Sequence, residues 1–247
     1  MGSFPTLSKC LLGSNFPDTC MRLCENVPKN HYMKAGCHVT IVVVFDIGGV
    51  LVPEGNRMEQ LQDHIASSAG EFDRGAFADA YWAIRDEYDL GASDSTFWTP
   101  VLERAGLPTS GEIVSLAAQK DAELNATIAR EPHALLQDLA AAKVPLGILS
   151  NAPLRMAQQV RDGGWSDVFT HLVFSSEHGC MKPDRRIYDL VVEGFSDVES
   201  PTFHFFDDRE KNIAGANSAG WHGHLWQSTQ HARTELTSLG VLPAKHP

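Results

Sequence analysis

No stretch of the 247-residue chain is apolar for long enough to cross a bilayer. The longest apolar run, Val39 to Val52, is short and is interrupted by Asp46, so no membrane partner is expected. Basic charge is also scarce: 20 Lys and Arg face 31 Asp and Glu, a formal charge of −11. That balance argues against a nucleic-acid partner, which needs clustered Lys and Arg. Cysteine is nearly missing from the body of the chain. Cys10, Cys20, Cys24 and Cys37 all precede the first convincing strand, and Cys180 stands alone after them. Their spacings, with His31 between, do not match paired zinc-ligand patterns, and an odd count does not make a secreted disulfide framework. They read as reduced thiols, in keeping with a cytoplasmic location. No basic segment leads into an apolar stretch of signal-peptide type. Met1-Gly2 with Thr6 fits a myristoylation pattern, but one acyl chain anchors weakly without a basic patch, and only Lys9 is close. Residues 1–37 are therefore expected to form a poorly ordered extension.

What is present is an ordinary core-forming composition, 43% hydrophobic and 21% charged, at a length that allows one to two domains. His38 to Phe45 is a β-branched run without alternation, the pattern of a strand buried on both faces. Residues 56–130 carry no comparable run and predict helices over Met58–Ser68, Phe72–Tyr88, Ser95–Ala105 and Ser110–Ile128, with N-cap chemistry around Asp94. After Pro132 strands and helices alternate. Strands are predicted over Val144–Leu149, His171–Ser175, Thr202–Phe206 and Gly223–Trp226, and helices over Leu154–Asp162, Asp184–Gly194 and Asn212–Ala219. Helices between strands imply right-handed crossovers. The expected fold is α/β: a doubly wound parallel sheet split by a helical insertion after its first strand.

Ligands of such sheets bind at the carboxyl ends of the strands, so the residues that leave each strand matter most. The first strand delivers Asp46, then Ile47, Gly48 and Gly49; the second delivers Ser150 and Asn151. The third runs into Lys182-Pro183-Asp184, and the fourth delivers Asp207 and Asp208. Each has a structural alternative: Asp46 as a turn former, Ser150-Asn151 as a helix cap, Lys182 as a solvated loop residue. Adjacent carboxylates at Asp207 and Asp208 repel one another unless a cation offsets them. The whole set supports phosphoryl transfer through a carboxylate nucleophile, with Mg²⁺, a lysine and hydroxyl or backbone donors stabilising the phosphoryl oxygens. Mg²⁺ typically takes one or two carboxylates plus water and phosphate, which Asp46 and Asp208 can supply. Gly48-Gly49 lets backbone approach a phosphate closely.

In that order, Phe45 to Leu51, Leu149-Ser150-Asn151, Lys182-Pro183-Asp184 and Phe206-Asp207-Asp208 resemble the four motifs of the haloacid dehalogenase-like (HAD) hydrolase superfamily. The resemblance covers residues 38 to about 230. It implies a Rossmann-like core over 38–55 and 131–247 with a helical C1 cap over 56–130. Within subfamily I it is similar to the α-D-glucose-1-phosphate phosphatase group. The resemblance implies Asp46 as nucleophile and metal ligand, and the Gly48 carbonyl as a metal ligand. It implies Ser150 with Asn151 as phosphate binders and Lys182 as the lysine that steadies nucleophile and phosphate. Asp208 and Asp207 are both implied at the metal, Asp208 favoured as the direct ligand and Asp207 as its supporting partner, a choice the sequence leaves open. The cofactor implied is Mg²⁺ and the partner a small phosphorylated substrate, with the chain a monomer or homodimer. One departure stands out: phosphatases of the superfamily mostly carry an acid–base aspartate where this chain has Gly48. A positioned acid–base group typically contributes 10²–10⁴-fold, so its absence implies slow turnover, a good leaving group such as an anomeric sugar phosphate, or a proton relay from elsewhere. The alternatives are a haloacid dehalogenase using Asp46, or a ligand-binding domain with little turnover.

Tyr81, Arg85 and Tyr88 fall at i, i+4 and i+7 of one predicted helix, a single face. That face can stack a sugar and bind its hydroxyls or phosphate through Arg85. It can equally be a helix–helix seam in which Arg85 pairs a buried carboxylate, which is the favoured reading. His64, His133, His222 and His224 are read as structural, with no metal role.

Overall fold

The computed structural model describes residues 31–34 and 37–243; the remainder of the expected extension, with Cys10, Cys20 and Cys24, lies outside the described residues. Strand β1 (His31–Lys34) pairs antiparallel with the start of β2 (Cys37–Phe45). Helices α1 (Arg57–Ala69), α2 (Arg74–Ala83), α3 (Arg85–Asp89), α4 (Asp94–Arg104), α5 (Gly111–Ala126) and α6 (Arg130–Ala141) follow. The chain then alternates through β3 (Leu146–Ser150), α7 (Leu154–Asp162), a 3₁₀ turn (Trp165–Val168), β4 (His171–Phe174), α8 (Ser175–His178) and α9 (Arg185–Gly194). It ends with β5 (Pro201–Asp207), α10 (Glu210–Ser218), β6 (His222–Leu225) and α11 (Thr229–Ser238).

The strand order β4-β3-β2-β5-β6 puts β2 at the centre, with parallel pairing along that path. This is the expected doubly wound sheet. Successive side chains of β2 point to opposite faces, and both faces are buried, which is why its sequence shows no polar alternation. Ile41, Val43 and Phe45 join one core with Leu135 and Leu139 of α6, Val160 of α7 and Leu236 of α11. Val42 and Val44 join the other with Ile187, Tyr188 and Val191 of α9. Because the chain leaves β2 for β3 on one side and reaches β5 on the other, a crevice opens at the carboxyl ends of these three strands.

Helices α1 to α5 bury a separate apolar cluster built on Phe77, Tyr88, Phe97, Trp98 and Val101. Ser93 caps α4 by accepting from Thr96 N, one residue before the expected Asp94. The helix predicted over Phe72–Tyr88 is two helices, broken at Ile84 (φ −123°, ψ 13°). No glycine or proline marks the break. It is imposed by packing: Tyr88 stacks on Phe97 with ring centroids 4.2 Å apart, and the carbonyl of Asp89 docks on Ser175. Among the described residues no helix is long and apolar enough to cross a membrane.

Candidate active site

Four elements bring the polar residues to one edge of the sheet. Asp46 follows β2, Ser150 ends β3, and Asp207 ends β5 with Asp208 beyond it. Lys182 arrives on the loop after α8, next to a cis peptide bond to Pro183. Its side chain is 1% exposed, so the solvated-loop alternative fails. The ammonium lies 2.9 Å from Asp46 Oδ1 and donates to Asp207 Oδ2 at 2.7 Å. Asn151 does not cap a helix. It holds the lysine's backbone instead, its Oδ1 accepting from Lys182 N at 2.8 Å and its Nδ2 donating to Lys182 O at 3.2 Å. Ser150 is 2% exposed and lines the pocket.

Asp207 and Asp208 differ sharply. Asp207 is fully buried and saturated: besides Lys182, it accepts from Arg209 N at 2.8 Å and from Asn212 Nδ2 at 2.9 and 3.0 Å. Asp208 Oδ1 is buried with no partner among the described residues. Opposite it, Gly49 has φ +74°, and a Cβ there would collide with the Asp208 carboxylate. Carboxylate oxygens of Asp46, Asp207 and Asp208 lie within 4.8 Å of one another. Three carboxylates against one buried ammonium leave a charge deficit that a hard divalent cation with oxygen ligands fits. With Asp207 already committed, Asp46 and Asp208 are the side chains with capacity to hold it.

The electrostatics follow from burial. Asp46 is pushed up to about 7, chiefly by burial, with Lys182 opposing and Asp207 adding to the rise. Burial favours protonated Asp207, but Lys182, Arg209 N and Asn212 outweigh it and hold the carboxyl below its ordinary value. Lys182 is held above the usual lysine value because Asp207 and Asp46 overcome its burial. Asp208 is raised by burial and by Asp207.

The crevice encloses about 290 Å³ between this edge and the helices, with Arg57, Tyr81, Trp82, Arg85, Asp89 and Asn125 on the far wall. Arg85 fulfils the seam reading: its Nε donates to Asp89 Oδ1 at 2.8 Å, and its guanidinium lies 3.4 Å from Asp121 Oδ2 and contacts the Tyr81 hydroxyl. It also lines the crevice, so the two readings are not exclusive. Sequence reasoning missed Asn212, Asp89, Arg57 and Asn125. Only Asn212 had a usable signal, five residues beyond Asp207 in the first turn of the next helix.

Residues 42–220 match the family of haloacid dehalogenase-like hydrolases. No curated protein matches the chain. Similar solved structures include a HAD family enzyme from Bacteroides thetaiotaomicron in complex with magnesium and inorganic phosphate, 20% identical, TM-score 0.55, covering 75% of this chain and 93% of its own. They include the L-2-haloacid dehalogenase of Xanthobacter autotrophicus, 22% identical, TM-score 0.56, covering 82% and 84%. They also include the 2-haloacid dehalogenase of Pseudomonas syringae, 19% identical, TM-score 0.54, covering 80% and 98%. At these identities the structures establish a shared fold. The family match spans well over half of the sequence and includes every strand-end residue described above: the chain belongs to the haloacid dehalogenase-like hydrolases.

Proposed function

We propose that this hydrolase is a Mg²⁺-dependent phosphatase acting on a small phosphorylated metabolite, with Asp46 as nucleophile. The observation that carries this reading is the orphaned, buried Asp208 carboxylate oxygen beside Asp46. Displacing halide from a haloacid calls for no divalent cation; a phosphoryl group brings negative charge to an edge already in excess of it. Mg²⁺, held by Asp46, Asp208 and the Gly48 carbonyl, would supply the positive charge that offsets both. The magnesium and phosphate complex of the Bacteroides relative is in keeping with this assignment.

The chain's own residues then divide the work. Asp46 attacks phosphorus and forms the aspartyl-phosphate, which splits hydrolysis into two easier steps. Lys182, fixed from behind by Asp207 and by Asn151, holds Asp46 in place and stays charged as a donor to the phosphoryl oxygens. The Ser150 hydroxyl binds a phosphoryl oxygen. Arg85 is too fully paired to serve as the main phosphate anchor and shapes the far wall. The exposed Trp82 ring on that wall (60% exposed) offers a face for a sugar ring.

The second reading, a haloacid dehalogenase, is favoured by the Xanthobacter and Pseudomonas relatives and by the missing acid at Gly48. One experiment separates them: p-nitrophenyl phosphate hydrolysis and halide release from 2-chloropropionate, each with Mg²⁺ and with EDTA, beside Asp46→Asn. The phosphatase reading expects phosphate release that EDTA abolishes and the substitution lowers by about 10³-fold or more. Halide release in EDTA without phosphate release would replace it with the dehalogenase.

A further inference from the structure

Gly48 leaves the loop after β2 without a group to protonate a departing alkoxide, so any donor must come from another wall of the crevice. Among the described residues no histidine or cysteine lines it, and its carboxylates outside the metal cluster are Glu54, Asp86 and Asp89. Glu54 and Asp86 are exposed, whereas Asp89 is 7% exposed. The Tyr81 hydroxyl is already engaged, donating to Asp121 at 2.8 Å.

Asp89 also sits where the helical insertion touches the catalytic edge. Its carbonyl accepts from Ser175 Oγ at 2.5 Å, and that oxygen accepts from Ala152 N at 3.0 Å, two residues beyond Ser150. Gly91, at φ +105°, packs so closely that a Cβ would lie 2.9 Å from Ser176 O. The end of α3 is thus clamped to α8 and, through Ser175, to the loop after β3. In the side chain, Arg85 holds Oδ1, while Oδ2 has no hydrogen-bond partner among the described residues.

We propose that Asp89 is the general acid and base of this site, reaching the leaving group from the far wall in place of the side chain that Gly48 lacks. The proposal rests on the phosphatase reading. Burial, opposed by Arg85 and assisted by Asp121 and Asp86, lifts Asp89 to about 6, so near neutral pH it can both carry a proton and give it up. In the first step an Asp46 oxygen bonds to phosphorus, the bond to the ester oxygen breaks, and its electron pair takes the proton from Asp89 Oδ2, releasing the alcohol. In the second, water attacks phosphorus from the vacated side and gives its proton to the Asp89 carboxylate. The Asp46–phosphorus bond breaks, its electron pair returns to Asp46, and inorganic phosphate leaves.

The test is kcat/KM, which covers steps only through departure of the alcohol, measured with p-nitrophenyl phosphate and with glycerol 2-phosphate for wild type, Asp89→Asn and Asp121→Asn. A lost acid harms the poor leaving group most. Asp89→Asn is expected to lose about 10²-fold or more on glycerol 2-phosphate and less than a tenth of that on the nitrophenyl ester. Asp121→Asn, which disturbs the same network, is expected to lower both esters by one factor. In the Asp89→Asn background, Gly48→Asp restores the alkyl ester, because a Cβ at Gly48 meets nothing within 4 Å. An equal loss on both esters, or none, would overturn the proposal. If wild type hydrolyses neither ester, the phosphatase reading fails and takes this proposal with it.

Discussion

Lys182 binds the candidate site together through charge, because it is the buried ammonium between two buried carboxylates. Removing one partner from such a cluster strands the others, at a cost of about 3–5 kcal/mol. Lys182→Met should therefore lower unfolding free energy by that order in urea titrations in EDTA at pH 8. The loss should shrink as pH falls, because Asp46, pushed up by burial and no longer opposed by Lys182, takes up a proton and sheds its uncompensated charge. Gly49→Ala should cost about 1–3 kcal/mol from the left-handed backbone alone and weaken Mg²⁺ binding measured by calorimetry, since its Cβ displaces Asp208. At this scale the sequence was informative where position along a strand fixed the outcome: Asp46, Ser150 and Asp207 had to emerge at one edge. It was silent on which carboxylate of the pair is saturated, because that depends on Asn212 and Lys182 arriving from other elements.

Between elements, the edge of the sheet at β5 and β6 carries a row of packed histidines. His204 Nδ1 lies 2.9 Å from His224 Nε2, whose other ring nitrogen is 2.9 Å from Glu235 of α11, while His222 stacks on His204. Burial above all, then His224 and His222, pushes His204 down to about 4. An unfolded histidine protonates near 6.5, so below that pH the unfolded chain binds the extra proton and His204 stays neutral. The contribution is intact above about 6.5 and fades as pH falls towards 4, by up to about 3 kcal/mol. Urea unfolding at pH 7.5 and pH 5 should show a smaller acid loss in His204→Phe than in wild type; equal losses would remove His204 from the account. His222 and His224 read as structural in the sequence, and among the described residues no contact asks more of them. Regular elements were legible from apolar patterning, but the break at Ile84 was not, since the contacts that impose it lie on α4 and α8.

Across the whole molecule, helices α1 to α5 are tied to the sheet and its helices by polar links as well as by the packing of α5 on α7. Arg155 of α7 donates to Asp94 Oδ2 through Nε at 2.8 Å, and Ser175 joins Ala152 to Asp89. Arg155 is partly exposed, so Arg155→Ala should change stability by less than about 1 kcal/mol. Ser175 is fully buried, and Ser175→Ala, which orphans a buried N–H and a carbonyl, should cost about 1–3 kcal/mol. Thermal or urea unfolding of the two variants tests that ordering. Such links join residues far apart in sequence, which is why the far wall of the crevice stayed hidden while its floor did not. The central claim, phosphoryl transfer to Asp46 with Mg²⁺, is tested most directly by acid-quenching the enzyme during turnover of a phosphomonoester and weighing its peptides. The account predicts one phosphoryl group on the peptide carrying Asp46, lost in EDTA and in Asp46→Asn. An Asp46 peptide that gains no phosphoryl group but becomes esterified by 2-chloropropionate without Mg²⁺ would contradict it.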